Sequence, residues 1–187
     1  MSIKDSMWWN RTKLIVKEDG SPDIAEHIAN AGHKVVLLAY GMGSVKKIGV
    51  YDKVLNALKA KGITVHELSG IRANPEISSV IEGIDICRKN KVEAIVPLGG
   101  GSVFDACKGI AVGATFPADV PSSAIWECYH FTRPIEKALP IFGVLTISAT
   151  ASEMDGGTVV QCDKEQKKIF FDSRHTYPMV SIIDPKL

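Results

Sequence analysis

The sequence carries almost no net charge: 22 Lys and Arg against 21 Asp and Glu leave +1 over 187 residues. Such a balance offers no broad basic surface for nucleic acid and no acidic tail, so any affinity for an anion has to be local. Long hydrophobic runs are missing too. The longest apolar stretches, such as 141–147, fall far short of a bilayer span, and the N-terminus around Lys4, Asp5, Trp8 and Trp9 lacks the apolar region of a signal peptide. A cytoplasmic protein without membrane or nucleic-acid partners is therefore expected. Cys87, Cys107, Cys128 and Cys162 show no C-x-x-C spacing, which excludes a zinc knuckle or redox dithiol and predicts reduced, partly buried thiols. His27, His33, His66, His130 and His175 form no H-E-x-x-H or other short ligand pattern. Internal repeats, low-complexity segments and flexible linkers are absent as well.

What remains is an ordinary globular composition, 45% apolar, at a length that suits one core, so residues 1–187 read as one domain. Apolar runs alternate with helical periodicities, the pattern of parallel strands joined by crossover helices, and the fold class expected is α/β. Strands are predicted at 13–16, 34–39, 64–68, 94–98 and 141–147. Helices are predicted at 24–31, after the turn at 41–44, and at 77–90, where Ile77, Val80, Ile81 and Ile84 make one face. The stretch 117–140, rich in proline and holding Trp126, Tyr129 and Phe131, reads as a long surface connection with aromatic anchors. Residues 158–161 and 168–171 flank a charged tip and read as a hairpin.

The run Gly99-Gly100-Gly101-Ser102-Val103-Phe104-Asp105-Ala106-Cys107-Lys108 follows the apolar strand and opens a helix. Glycines there let backbone amides approach an anion, and the unpaired N–H groups of a helix's first turn favour negative charge. Ser102 suits the N-cap, and Ser102, Asp105 and Lys108 share one helix face at spacings of three. The same run is also compatible with a tight strand-to-helix turn in which Asp105 and Lys108 form a surface ion pair. In open α/β sheets ligands bind beyond the carboxyl ends of the strands, so the loops at Gly41, Asn74, Gly99 and Thr146 would converge on one cleft. The loop after the second strand has no acid to repel a 2′-phosphate, and Lys46 and Lys47 lie close by, which favours NADP over NAD; an ordinary solvated helix start explains the two lysines equally well.

Gly-Gly-Gly-Ser-x-x-Asp-x-x-Lys in this setting resembles the cofactor signature of the iron-containing, group III alcohol dehydrogenases. The stretches Tyr40 to Lys47, Asn74-Pro75, Leu145 to Met154 and Tyr177-Pro178 through Asp184-Pro185 are similar to segments of the family's NADPH-dependent butanol dehydrogenase and aldehyde reductase branch. The likeness runs from about Asn10 to Leu187. It implies a Rossmann-like parallel sheet with flanking helices and a small β-hairpin. Gly100, Gly101 and Ser102 would hold the pyrophosphate, and Gly41, Met42, Gly43 and Ser44 would reach the adenosine end. Asn74 would contribute an amide, Thr146 and Thr150 hydroxyls, Asp105 a contact near the nicotinamide and Lys168 one at its ribose, although Asp105 also reads as merely structural. Met42 and Ala151 stand where that branch usually has glycine, and Asp155 where it usually has Asn.

Family members are roughly twice this long. Their helical C-terminal domain supplies one Asp and three His to a divalent metal, iron or zinc, and none of those ligands can be identified here. The expectation is thus an N-terminal half, with cofactor-binding residues but no catalytic ones, and the missing helical domain and a second copy in a homodimer are its expected partners. The intact enzyme would transfer hydride between NADP(H), or NAD(H), and a primary alcohol or aldehyde. A non-catalytic nucleotide-binding module remains an alternative. A phosphoryl transferase is another, although no G-x-x-x-x-G-K-[ST] loop occurs.

Overall fold

The computed structural model describes residues 9–187; the reading of the N-terminal stretch at Lys4, Asp5 and Trp8 lies outside them. Strand β1 (Lys13–Val16) leads to helix α1 (Ile24–Asn30) and strand β2 (Val35–Tyr40). Two helices, α2 (Ser44–Lys47) and α3 (Val50–Ala60), precede β3 (Thr64–Leu68), then α4 (Ile77–Asn90), β4 (Ala94–Gly99) and α5 (Gly101–Gly113). A short helix α6 (Ile125–Tyr129), strand β5 (Phe142–Leu145), the hairpin strands β6 (Gly157–Cys162) and β7 (Lys167–Asp172), and β8 (Val180–Ile183) complete the order. Six strands form one sheet in the order β1-β8-β5-β4-β2-β3, every neighbouring pair parallel, while β6 and β7 pair antiparallel as a separate two-stranded sheet. This is the expected Rossmann-like architecture with its hairpin. No helix among the described residues is long and apolar enough to cross a membrane.

The sequence pattern explains the layering. All of β4 is buried, as a strand with helices on both faces requires, and it therefore reads as a continuous apolar run rather than an alternation. Val36, Leu38 and Tyr40 of β2 pack on one face with Ile24 and Ile28 of α1 and Val50, Val54 and Leu58 of α3. Leu37 and Ala39 pack on the other face with Val80 and Ile84 of α4 and Val103, Ala106 and Ile110 of α5. Helices α4 and α5 touch closely, because a side chain at Gly83 would overlap Ile110 and one at Gly113 would overlap Ile84.

Neighbouring strands β2 and β4 consequently send their following helices, α3 and α5, to opposite faces. That divergence opens a crevice at the strand ends, which is where open α/β sheets bind ligands.

Two expectations are corrected. The connection 117–140 is more than surface: it contains a helical turn at Ser122–Ala124 and then α6, whose Ile125 and Tyr129 are buried, Tyr129 at 1% exposure. Its aromatic spacing reflects packing against α5 and the hairpin, which a search for surface anchors does not reveal. Ser102 is not the N-cap of α5. Gly100, in extended conformation, takes that position, because the helix starts two residues earlier than a serine cap would need.

Candidate functional site

Helix α5 begins without a side-chain cap. The amides of Val103 and Phe104 donate to the Gly100 carbonyl at 2.9 and 3.4 Å, while those of Gly101 and Ser102 have no partner among the described residues. Two free N–H groups at the positive end of a 13-residue helix are therefore directed at the strand ends. Beside them lies an open cleft of about 320 Å³, lined by Asn74, Pro75, Gly101, Ser102, Asp105, Ala149, Thr150, Val159 and Lys168. Six residues singled out from sequence, Asn74, Gly101, Ser102, Asp105, Thr150 and Lys168, thus meet in one place.

Each wall has a local cause. Asn74, at φ 60, turns the chain ahead of Pro75, and Asn tolerates that left-handed conformation better than most residues. Its Oδ1 accepts from Lys168 Nζ at 2.6 Å, so the hairpin's lysine and the turn's amide are tied together at the rim. A Cβ on Gly101 would lie 3.0 Å from Thr150 Oγ1 and 3.3 Å from Ser152 Oγ, two hydroxyls that share a hydrogen bond of 2.8 Å. Glycine is needed there for close approach rather than for its backbone angles. Between those hydroxyls Ala151 sits at φ 60, a left-handed conformation costing about 1 kcal/mol for a residue with a Cβ, where the resemblance has glycine.

The remaining sites from sequence lie outside the cleft lining. Thr146 donates its amide to the Gly99 carbonyl at 3.1 Å, so the segment leaving β5 runs along the tip of β4, and Gly100 lies under Ile147. Gly41, Met42, Gly43 and Ser44 follow β2 at the neighbouring strand end. Met42 is 79% exposed, and Gly43 has a φ of 122 that L-residues avoid.

The Asp105–Lys108 surface ion pair is overturned. Lys108 is fully buried, and its Nζ reaches across to Asp155 Oδ1 and the Gly157 carbonyl, both at 2.7 Å. Spacing along α5 suggested the partner three residues away, whereas the hairpin packed on that face supplies the real one. Burial lowers the Lys108 pKa, with Asp155 opposing that shift most strongly. Asp105, left to line the cleft, is pushed up to about 6 by burial, with Lys108 opposing and Asp155 adding to the rise. Thr158 Oγ1 donates to the Asp105 carbonyl at 2.7 Å and sits 3.1 Å from the buried Tyr129 hydroxyl, fastening β6 to α5 and α6.

Sequence reasoning missed Val159 of the cleft lining, and it missed a carboxylate near β2. Glu67 of β3 accepts hydrogen bonds from both Tyr40 and Tyr51. The alternation of β3, with Val65 and Glu67 on the α3 face, was the available signal.

The cleft suits a phosphate-bearing ligand: two free amides, the Lys168 cation and the Thr150 hydroxyl stand around a small-residue floor. No group of three or more His, Cys, Asp or Glu side chains able to hold a metal ion occurs among the described residues.

Comparison with known proteins bears on the family and the fold. A family model described as iron-containing alcohol dehydrogenase matches residues 11–185. The chain is 39% identical over 183 residues to the probable NADH-dependent butanol dehydrogenase 1 of Bacillus subtilis, covering 98% of this chain and 46% of that protein. It is 39% identical over 150 residues to the NADPH-dependent aldehyde reductase YqhD of Escherichia coli, covering 80% and 38%. The crystal structure of NADH-dependent butanol dehydrogenase A from Thermotoga maritima superposes with a TM-score of 0.89 at 45% identity, covering 98% of this chain and 45% of that one. The chain thus spans less than half the length of these relatives.

Proposed function

Because the chain belongs to the iron-containing alcohol dehydrogenase family, we propose that it is the coenzyme-binding part of an oxidoreductase that moves hydride between NADP(H) and a small primary alcohol or aldehyde. The observation that carries this reading is the pair of free amides at Gly101 and Ser102 opening onto a cleft that also holds Asn74, Asp105, Thr150 and Lys168. Gly100, Gly101 and Ser102 hold the diphosphate through main-chain donors, and Lys168, steadied by Asn74, meets the nicotinamide ribose. Thr146 and Thr150 line the path between them. Asp105, kept protonated to about pH 6, adds little repulsion to a neighbouring phosphate in mildly acidic solution. The Gly41, Met42, Gly43 and Ser44 loop takes the adenosine end.

The nicotinamide coenzyme, when bound, supplies the hydride acceptor or donor; this chain's residues bind it, orient it and keep its phosphates neutralised. The iron or zinc that the family implies finds no donor set among the described residues, so no step is derived through it. Residues 1–187 are taken as one dinucleotide-binding domain. Four free, buried thiols agree with a reducing, cytoplasmic setting. Family membership does not favour the phosphoryl-transferase reading or that of a module without chemistry.

Titration with NADPH tests the proposal. Enhanced, blue-shifted coenzyme fluorescence that saturates is the expected result, whereas magnesium-dependent ATP binding with no NADPH response would overturn it.

A further inference from the structure

The cleft beside the α5 amides holds a carboxyl group where a bound anion would least tolerate one. Among the residues lining it, Asp105 is the one acid and Lys168 the one cation, and no histidine takes part. Asp105 follows Gly101 and Ser102 by four and three residues, so it stands on their face of the helix, one turn on. Helical side chains lean toward the N-terminus, which turns this carboxyl back toward the two free amides.

No cation is paired with it. Lys108, one turn further along α5, is committed to Asp155 Oδ1 and the Gly157 carbonyl, both at 2.7 Å. Lys168 of β7 is held by Asn74 Oδ1 at 2.6 Å, and Asp105 forms no salt bridge among the described residues. Asp155, from the segment ahead of β6, adds negative charge around Asp105, and Asp172 of β7 acts on Lys108. Cys107 of α5 and Tyr129 of α6 are buried, and burial raises the pKa of both, so they stay neutral. An ionised Asp105 and a diphosphate on the amides would therefore face each other across about one helical turn, on the order of 5–6 Å. At the intermediate dielectric of a protein surface such repulsion is worth about a factor of ten in affinity. Protonation removes it, and the neutral carboxyl gains an O–H that can donate to a phosphate oxygen.

We propose that the cleft takes up its phosphate-bearing ligand together with a proton, Asp105 being the group that receives it. The inference rests on the dinucleotide reading of the α5 amides and adds a regulation to that site: affinity is high while the Asp105 carboxyl is neutral and falls as it ionises. Burial holds that carboxyl at about 6 against the opposing pull of Lys108, so the affinity is lost as pH rises from mildly acidic to mildly basic solution. By reciprocity, the bound anion favours the protonated acid.

The test is calorimetric titration of the 187-residue chain with ADP-ribose at about pH 5.5, 6.5 and 7.5, each in two buffers of different ionisation enthalpy. ADP-ribose carries the diphosphate without the 2′-phosphate of NADPH, whose own proton leaves near about pH 6 and would mask the effect. Wild type is expected to bind about fivefold more tightly at the lowest pH than at the highest, and to take up about half a proton near the middle value, as a tenfold difference between the two protonation states requires. Asp105→Asn, which has the shape of the neutral acid, should bind at every pH about as tightly as wild type does at the lowest, with no proton taken up. Lys168→Met should weaken binding at all three values and retain the proton uptake. A wild-type affinity independent of pH, or a pH dependence that survives in Asp105→Asn, overturns the proton coupling and leaves the dinucleotide site standing. Failure of both ADP-ribose and NADPH to bind at any pH overturns that site and this inference with it.

Discussion

The β4–α5 unit and the β6–β7 hairpin form facing walls of one cleft and share one apolar core, but they differ in the polar contacts that hold them. Strand β4 is buried throughout, and α5 packs into the larger core through Val103, Ala106, Cys107 and Ile110, so the free amides at its start are fixed by the most deeply buried part of the molecule. The hairpin belongs to no larger sheet, and two strands alone are marginal in water. Val160, Cys162 and Phe171 carry it into the same core as α5, the Tyr129 ring lying 4.6 Å from that of Phe171, and polar contacts add to this: Lys108 to Asp155, Thr158 to the Asp105 carbonyl, and the Gln161 amide to the Pro75 carbonyl. The comparison teaches that both walls rest on the same apolar core, but the wall carrying Lys168 adds polar fasteners to that burial, whereas the anion-binding wall needs none.

Breaking the strongest fastener should give the largest effect. Asp155→Ala leaves the Lys108 cation fully buried without its counter-ion, and a loss of about 3 kcal/mol is expected in denaturant unfolding. Lys108→Met keeps the volume and leaves the Gly157 carbonyl and Asp155, whose side chain is 39% exposed and can return to water, so it should cost about 1 kcal/mol. Equal costs would mean the two walls are not joined through this pair.

Next in size is a pH effect at the junction. Asp105 holds its proton to about pH 6 in the folded chain, above the ordinary carboxylate range. The folded state therefore binds more protons than the unfolded one between about pH 4 and pH 6, and the stability contributed by this group is present at low pH and lost as pH rises through about 6. Asp105→Asn removes the dependence. Relative to wild type it should gain about 2 kcal/mol between pH 4 and pH 7.5, seen as diverging denaturation midpoints.

The general frame was legible because hydrophobic periodicity reports burial directly: β2, β4 and α4 announce themselves through Val35 to Tyr40, Ala94 to Leu98 and the Ile77, Val80, Ile84 face. Site residues were legible where backbone chemistry demands a residue type, as at Gly101 and Asn74. Partner choice was not. Lys108 turns from Asp105 to Asp155, 47 residues away, and Glu67 is drawn to two tyrosines from different elements. Such pairings depend on which element packs over a helix face, which local spacing does not encode.

Two smaller changes separate binding from stability along the same divide. Gly101→Ala places a methyl 3.0 Å from Thr150 Oγ1 and 3.3 Å from Ser152 Oγ, so the two hydroxyls must give way by a few tenths of an ångström and unfolding should cost about 1 kcal/mol. The narrowed cleft should bind NADPH about tenfold more weakly in a fluorescence titration. Smallest is Ala151→Gly, which relieves a left-handed alanine and should raise stability by up to about 1 kcal/mol in thermal or denaturant unfolding.

The most direct test of the whole account is a two-dimensional amide NMR titration with NADPH. The free N–H groups of Gly101 and Ser102 should show the largest downfield shifts, accompanied by smaller changes at Asn74, Thr150 and Lys168. Shifts centred elsewhere, such as the separate depression lined by Phe131, Arg133 and His175, with Gly101 and Ser102 unmoved, would contradict it.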